Sequence, residues 1–281
     1  MEIAFLEGPC ARTVSGCRDA STRLVCWIHR EQRTQKALAA SFRSFREARN
    51  CYGRFHQTVC VSQAVARDFR ELTRLRTPCA VLYNPVNAAE IRSGAGAPAP
   101  ALLEDGRLRL LCLGTLKPDK GQDRLLNILR RLREEKLPVR LYLAGDGPLR
   151  PRLERYIRRH RLEEDAVLLG YLDNPYPLLS RCDLLVSASH LEGYSTAVTE
   201  ALVLGIPVCA VETAGMEELL GGRNTCGRIT EDRDEALYLA LKALLSDPAL
   251  LARSREEAMA RGAELSARDG VREAEQLLWN L

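Results

Sequence analysis

The chain has 281 residues, with 41 Lys or Arg against 37 Asp or Glu, and a net charge of +4 at pH 7. This length allows one large domain or two ordinary ones, and no apolar run approaches the roughly 18 residues of a membrane-spanning helix. The segment that begins at Met1 lacks the character of a signal peptide, so we expect a cytoplasmic protein. The ten cysteines form no Cys-x2-Cys pair, which favours reduced core thiols over a zinc site.

Residues 1–86 alternate apolar runs with helical patterns, which is typical of a parallel α/β sheet. The predicted strands lie near residues 3–6, 24–28, 58–61 and 80–83, and the predicted helices cover residues 31–50 and 63–73. A stretch rich in Gly, Ala and Pro follows at 93–100, so we predict a linker over residues 87–107.

A second alternating series fills residues 108–262 and predicts a second α/β domain. Its strands are predicted near 108–113, 139–144, 166–169, 183–187 and 207–211, with helices near 121–135, 149–160, 175–180, 196–204, 215–220, 233–245 and 248–262. Residues 263–281 are expected to form a terminal region whose amphipathic helix, near 270–281, returns to the first domain.

Two glutamates eight residues apart, Glu192 and Glu200, frame the most informative segment of the chain. Between them, Ser195 or Thr196 can cap a helix, and Gly205 can end it. The N-terminus of such a helix suits a phosphate, because it offers free N–H groups and the positive end of the helix dipole. The two carboxylates could then accept hydrogen bonds from sugar hydroxyls, whereas the alternative is a capped surface helix with two solvated carboxylates.

The first part of the chain is basic: residues 1–89 hold 14 Lys or Arg against 7 Asp or Glu. The excess gathers within residues 30–54, with aromatic residues interleaved at broadly helical spacing. Such a stripe could contact the anionic headgroups of a membrane or an anionic acceptor, or it could be a solvated helix face. No recognised nucleic-acid-binding module accompanies it, so we expect no nucleic-acid partner.

A series of short motifs runs from residue 108 to residue 227. In chain order they are the turns at 114–121 and 145–148, the segments 170–171 and 174–176, Asp183, the pair Glu192 and Glu200, and the segments 205–208 and 215–218. This series resembles the retaining nucleotide-sugar glycosyltransferases of the GT-B fold, in the large family 4 class. The resemblance implies an α/β chain with two Rossmann-like domains. It also implies transfer of a sugar, UDP-linked in our interpretation, to a glycan or lipid-linked acceptor, as in bacterial polysaccharide enzymes.

By the same resemblance, Lys120, Glu192 and His29 are the predicted catalytic residues. Lys120 would meet the donor diphosphate, Glu192 would contact hydroxyls of the transferred sugar, and His29 would approach that sugar from the first domain. No metal or other cofactor is expected, because Lys120 and a helix end would neutralise the diphosphate.

The predicted donor-binding residues surround these three positions. Glu200 would accept from the ribose hydroxyls, and Tyr171 would either border the nucleobase or pack. Thr115 stands where the family usually has an arginine, and it offers a hydroxyl but no charge. The remaining predicted donor-binding residues are Gly114, Gly193, Tyr194, Ser195 and Thr196.

Residues 1–86 resemble only the second half of a GT-B amino-terminal domain, because the family's first strand and glycine-rich loop are not found before Ile3. A truncated product, a misassigned start and a partner that supplies the rest are all open explanations. Two alternatives to an active transferase therefore stand: an impaired or non-catalytic nucleotide-sugar-binding module, and a nucleotide-sugar epimerase on the same fold.

Overall fold

The computed structural model describes residues 1–98 and 105–281. Within them, two parallel sheets are covered by helices, as the alternating pattern predicted. The first sheet has the order β1-β2-β3-β4, and the second has the order β10-β9-β8-β5-β6-β7. The strands are β1 Glu2–Ala4, β2 Leu24–Ile28, β3 Gln57–Cys60, β4 Cys79–Val81, β5 Leu108–Leu113, β6 Val139–Ala144, β7 Ala166–Gly170, β8 Leu184–Ser187, β9 Val208–Val211 and β10 Gly227–Thr230.

The helices follow the strands in alternation. They are α1 Pro9–Val14, α2 Gln35–Leu38, α3 Phe45–Tyr52, α4 Gln63–Thr73, α5 Ala88–Ala95, α6 Gln122–Glu134, α7 Arg150–Arg159, α8 Tyr176–Leu179, α9 Thr196–Val203, α10 Met216–Leu220, α11 Asp234–Ser246, α12 Pro248–Ser266 and α13 Gly270–Trp279. A 3₁₀ turn at Pro118–Lys120 precedes α6. No helix of the described ranges combines the length and the apolar character needed to cross a bilayer.

Both faces of the second sheet are buried, which explains why its strands are nearly continuous apolar runs. On β5, Leu111 joins the core shared with the first sheet, while Leu110 and Cys112 join the core beneath α6, α7 and α11. All ten cysteines are free, and six of them are buried: Cys26, Cys60, Cys112, Cys182, Cys209 and Cys226.

Several elements differ from the sequence prediction, and helix α1 was not predicted. The helical pattern predicted over residues 31–50 is divided between two helices, α2 and α3. Strand β10, which was not predicted, closes the second sheet beside β9. Part of the predicted linker is ordered, because Ala88–Ala95 form α5, while residues 99–104 of that linker lie outside the described residues.

The tail of the chain lies against the segment that follows the first sheet. The guanidinium of Arg268 stacks 4.6 Å from the centre of the Tyr83 ring. At the start of α13, a Cβ atom added to Gly270 would stand 3.2 Å from Pro85. Leu277, Leu278 and Leu281 on the apolar side of the tail are half-buried against the core.

Candidate functional site

A cavity of about 320 Å³ lies at the carboxyl ends of β5 and β8. These two strands are neighbours at the centre of the second sheet, where the strand order reverses direction, and ligands of open α/β sheets bind at such a switch point. The residues that line it are Cys112, Leu113, Gly114, Thr115, Lys120, Gln122, Pro175, Leu185, Val186, Ser187, Ala188, Ser189, Glu192, Tyr194, Ser195, Thr196, Ala197, Val198 and Glu200.

Lys120 and Glu192, two of the predicted catalytic residues, meet in this cavity. Lys120 Nζ donates to Glu192 Oε1 at 2.5 Å, and the Ser189 hydroxyl donates to the same oxygen at 2.9 Å. Both charged side chains are mostly buried, so their attraction is screened less than that of a surface pair. The arrangement fixes a cation and a carboxylate side by side on the cavity wall.

Helix α9 starts at the cavity wall. Ser195 is its N-cap, with a side-chain oxygen that accepts from the Val198 N–H, and Gly205 with φ near +70° follows its end. The first N–H groups of a helix have no intrahelical carbonyl to bind, so those of Thr196 and Ala197 are suited to an anion. Lys120 lies on the same cavity, which adds a positive charge to this end of the helix.

Glu200 lies one turn into α9 and is half-buried. Burial raises the pKa of its carboxyl above the ordinary value, and a hydrogen bond from Tyr176 partly opposes this rise. The Tyr176 hydroxyl donates to Glu200 Oε1 at 3.4 Å. Glu200 is therefore a partly desolvated acceptor that faces the cavity.

The turn that carries Gly114 and Thr115 is held close to a second glycine turn. The Gly114 N–H donates to Ala144 O at 2.9 Å, and a Cβ atom at Gly145 would stand 2.0 Å from Gly114 O. Thr115 is exposed at the cavity rim, and its carbonyl accepts from Gln122 Nε2 at 3.0 Å. The other side-chain atom of Gln122, Oε1, is buried without a hydrogen-bond partner among the described residues.

Three of the predicted site residues do not line the cavity. Gly193 is buried, and a Cβ atom there would stand 1.9 Å from His29 O and 3.0 Å from the Val61 side chain. Tyr171 is 74 % exposed. The roles predicted for these residues and for His29 stay predictions.

His29 belongs to the first sheet's side of the molecule. The His29 ring lies 4.9 Å from the Phe5 ring, and the backbone N–H of His29 donates to a Glu7 carboxylate oxygen at 3.0 Å. Burial lowers the pKa of the imidazole, although Glu7 and the Phe5 backbone oppose this. Its Nε2 is buried without a hydrogen-bond partner among the described residues, and it is suited to a neutral hydrogen-bonding role.

Tyr194 links the cavity to the segment after the first sheet. Its ring is 5.0 Å from that of Tyr83, and its carbonyl accepts from Asn84 Nδ2 at 3.2 Å. Burial raises the pKa of its hydroxyl to about 12, so it stays neutral near pH 7. Tyr194 therefore shapes the cavity mainly by packing.

Sequence reasoning missed the supporting residues around the cavity. Ser189, which donates to Glu192, belonged to no predicted motif, and Tyr176, which donates to Glu200, belonged to the motif 174–176 without any contact being assigned to it. A charged network also holds the loop before Glu192: His190 Nδ1 lies 2.9 Å from an oxygen of Asp232, and Arg124 Nη2 lies 2.5 Å from the other. Burial alone would raise the pKa of Asp232, but the hydrogen bonds from His190 and Arg124 outweigh it and lower that pKa.

Solved structures share this architecture. Anabaena HepE in complex with UDP is 23 % identical, with a TM-score of 0.73 over 92 % of this chain and 72 % of that one. S. aureus TarM, solved with UDP and glycan ligands, is 17 % identical, with a TM-score of 0.75 over 94 % of this chain and 51 % of that one. The protein is thus an α/β protein of the GT-B fold, which confirms the predicted fold class.

Sequence comparison gives the family. Residues 98–261 match the family described as Glycosyl transferases group 1, and the chain belongs to that family. An N-acetylgalactosaminyltransferase of Campylobacter jejuni, named for a diphospho-undecaprenol acceptor, is 30 % identical over 65 % of this chain and 48 % of its own length. A Mycobacterium tuberculosis glycogen synthase is 30 % identical over 68 % of this chain and 46 % of its own. The chain spans about half the length of these two curated relatives.

Proposed function

We propose that the protein transfers a sugar from a nucleotide-diphosphate donor, UDP-linked, to a glycan or lipid-linked acceptor. The observation that carries this proposal is the convergence of Lys120, the N-terminus of α9 and Glu200 on one cavity at the switch point of the second sheet. The UDP complex of the HepE structure supports this donor class, and the glycosyltransferase names of the sequence relatives support sugar transfer.

In the proposed complex, the diphosphate lies between Lys120 and the first N–H groups of α9. A charge-assisted hydrogen bond from Lys120 and the helix dipole would then stabilise the leaving diphosphate as negative charge builds up on it. Glu200 accepts from the ribose hydroxyls, and Glu192, which Lys120 and Ser189 hold in place, contacts the sugar hydroxyls. Because Lys120 and the N-terminus of α9 would neutralise the diphosphate, we propose that the reaction is independent of metal ions. Activity in excess EDTA would test this proposal.

We further propose that the anomeric configuration is retained, as in family 4 of the GT-B enzymes. Glu192 is engaged by Lys120, and an oxygen of the donor's own phosphate could take the acceptor proton. Proton NMR of the first product formed would show whether the new linkage has the donor's configuration, and an inverted linkage would contradict this part of the proposal.

Binding of UDP is the direct test of the donor site. We expect Glu200→Ala to weaken UDP binding by roughly 1.5–3 kcal/mol, as for a hydrogen bond to a charged group. Isothermal titration calorimetry of the whole chain with UDP would measure this loss of affinity. The same titration with GDP would compare the two bases. Unchanged UDP affinity in the variant would remove Glu200 from the site.

A nucleotide-sugar-binding module without transfer activity is the second candidate. Thr115 favours it, because this exposed residue at the cavity rim carries no charge to share the diphosphate with Lys120. A radiolabelled UDP-sugar assay with a polyprenyl-diphosphate-linked acceptor separates the two candidates. UDP binding without transfer under those conditions would favour the module.

We also propose that residues 1–86 form the acceptor side and residues 108–262 the donor side, with the basic segment 30–54 facing an anionic membrane. Arg30 and Arg33 of that segment are engaged by Asp119 and Glu31. Its aromatic residues pack inward, and Tyr52 is fully buried. The other exposed cations are Lys36, Arg43, Arg46, Arg49 and Arg54, and the guanidinium of Arg54 donates to Cys17 O at 2.7 Å.

Contact with a membrane through these cations would be purely electrostatic and therefore salt-sensitive. Co-sedimentation with vesicles containing phosphatidylglycerol, at low and high salt, would test it. Binding that survives 1 M salt, where the Debye length is about 3 Å, would contradict a purely electrostatic contact, and no binding at low salt would remove the membrane from the proposal.

A further inference from the structure

The support of Glu200 comes from outside the cavity. Tyr176, the first residue of α8, does not line the cavity, although its neighbour Pro175 does. Its hydroxyl donates to Glu200 Oε1 at 3.4 Å. One oxygen of the carboxylate is thus held by the protein while Glu200 itself lines the cavity.

Tyr176 is in turn held by the helix that joins the two sheets. The Tyr176 N–H donates to Asn174 Oδ1 at 3.1 Å, and Asn174 Nδ2 donates to Gly94 O on α5 at 3.0 Å. The ring itself lies against Gly94, where a Cβ atom would stand 2.7 Å from Tyr176 Cδ2. Only a glycine at this position of α5 leaves the ring where it is.

The chemistry of Tyr176 suits a fixed donor. Burial raises the pKa of its hydroxyl, and the nearby carboxylates Glu200 and Glu90 raise it further. The hydroxyl therefore stays protonated near neutral pH and can always donate to the carboxylate. A carboxylate held in one rotamer loses less conformational freedom when a ligand binds than a free one.

We infer that Tyr176 is a positioning residue that orients Glu200 toward the ribose of the donor, and that Gly94 on α5 fixes the place of Tyr176. Discrimination of ribose from 2′-deoxyribose then depends on residues that touch no part of the nucleotide. This inference rests on the proposed function of Glu200, and the experiment below separates the two.

The experiment is calorimetric titration of the whole chain with UDP and with 2′-deoxy-UDP. Tyr176→Phe removes only the hydroxyl, and we expect it to weaken UDP binding about 3- to 10-fold, within the range for the net contribution of a typical hydrogen bond. Binding of 2′-deoxy-UDP should change less, so that the affinity ratio of the two ligands falls. Gly94→Ala should act in the same direction by displacing the ring.

Two matched variants serve as controls. Tyr156→Phe removes a tyrosine hydroxyl that bonds Asn127 away from the cavity, and Gly96→Ala adds a methyl group two residues from Gly94 without a close contact. We expect both to leave the two affinities unchanged. Thermal melts of all variants establish that each is folded at the temperature of titration.

The outcomes separate this inference from the proposed function. If Glu200→Gln leaves UDP binding unchanged, the proposed role of Glu200 fails, and the inference fails with it. If Glu200→Gln weakens binding while Tyr176→Phe has no effect, or weakens both ligands equally, the inference alone is overturned. Tyr176→Phe added to Glu200→Gln should cause no further loss, and additive losses would also overturn it.

Discussion

Lys120 and Glu192 neutralise each other on the cavity wall, so both charged side chains can be mostly buried with little hydration. In the proposed complex, a donor diphosphate that approaches Lys120 would bring its own negative charge, and Glu192 would be released from its role as counter-ion to contact the sugar. We therefore propose that the two halves of the pair serve different parts of one ligand.

Removal of the lysine should affect phosphate binding selectively. We expect Lys120→Ala to weaken UDP binding by roughly 1.5–3 kcal/mol, because a charge-assisted hydrogen bond is lost, and to leave the affinity for uridine unchanged. Titration with both ligands measures the difference. Lys117→Ala, on the exposed side of the same turn, is the control, and equal losses for UDP and uridine would contradict the assignment.

The raised pKa of Glu200 predicts a pH dependence of UDP binding. In the role proposed for Glu200, the ionised carboxylate is the form that accepts from the ribose hydroxyls, so we expect full affinity above its pKa and a fall as the pH drops through it. Because burial raises this pKa, the fall should begin at a higher pH than the ordinary value of about 4.3 implies. Affinity measured across acidic pH should show this step, which should be missing in Glu200→Gln; an identical profile in the variant would assign the step to another group.

Eight of the nineteen residues that line the cavity were among the predicted site residues, whereas the residues that support them were not. Lys120, Glu192 and Glu200 belong to motifs whose spacing along one turn or helix already places them at one sheet edge. Ser189 and Tyr176 act through single side-chain hydrogen bonds across α8, α9 and the loop before Glu192. Such contacts depend on how elements pack, and a single sequence does not encode that directly.

At the level of elements, helix caps divide the helical stretch predicted over residues 31–50. The side chain of Thr34 accepts from the Ala37 N–H at 3.1 Å, and that of Ser44 accepts from the Glu47 N–H at 3.1 Å. Each cap starts a new helix, so residues 31–50 form α2 and α3 rather than one helix. The Ser44-x-x-Glu47 spacing is a capping-box signal that could have placed this boundary.

Strand β10 and helix α5 were missed for a different reason. Strand β10 has little apolar character, and its pairing with β9 in register from Gly227 and Val208 makes it a strand. The composition of residues 93–100 suggested a flexible linker, yet α5 is capped by Asn87 and packs on α8 and α9. Tertiary contacts overrode local propensity in both elements.

The turns at Gly114 and Gly145 pack against each other beside the cavity. Gly145 has φ near +133°, and a Cβ atom there would stand 2.0 Å from Gly114 O. We expect Gly145→Ala to lower the free energy of unfolding by roughly 1–3 kcal/mol through backbone strain, and to weaken UDP binding by displacing the Gly114 turn. Urea unfolding and UDP titration measure the two effects.

Gly106→Ala provides the control for that variant. Gly106 also has a positive φ, near +78°, but nothing lies within 4 Å of an added Cβ atom. Its substitution should cost stability without affecting UDP binding. If Gly145→Ala binds UDP as tightly as Gly106→Ala does, the contact with Gly114 does not shape the cavity.

At the scale of the whole molecule, the carboxylate of Glu218 links a helix beside the second sheet to residues beside the first. Glu218 on α10 accepts from the N–H groups of Gln63 at 2.9 Å and Ala64 at 2.8 Å, at the start of α4, and from the Tyr83 hydroxyl at 3.0 Å. An acidic side chain at a helix N-terminus also interacts favourably with the helix dipole. Helix α10, which covers the second sheet, thus supplies part of the N-terminal cap of α4, which covers the first sheet.

Loss of this carboxylate should destabilise the chain as a whole. We expect Glu218→Ala to lower the free energy of unfolding by roughly 1–3 kcal/mol, with Glu218→Gln in between, because the amide keeps one acceptor. Chemical denaturation monitored by tryptophan fluorescence would show it. Glu217→Ala, at an exposed neighbour 4.0 Å from Arg223, should change little; equal effects of the two alanine variants would contradict the capping role.

The buried cysteines have a consequence for measurement. Cys26 in the first sheet, and Cys112 and Cys209 in the second, are buried thiols whose pKa burial raises to about 12. Alkylating reagents attack the thiolate, so these groups should stay unmodified near neutral pH until the surrounding strands separate. The rate of iodoacetamide labelling at Cys26, compared by mass spectrometry with that at Cys112 and Cys209, therefore reports how often each sheet opens, with no reporter residue introduced by mutation.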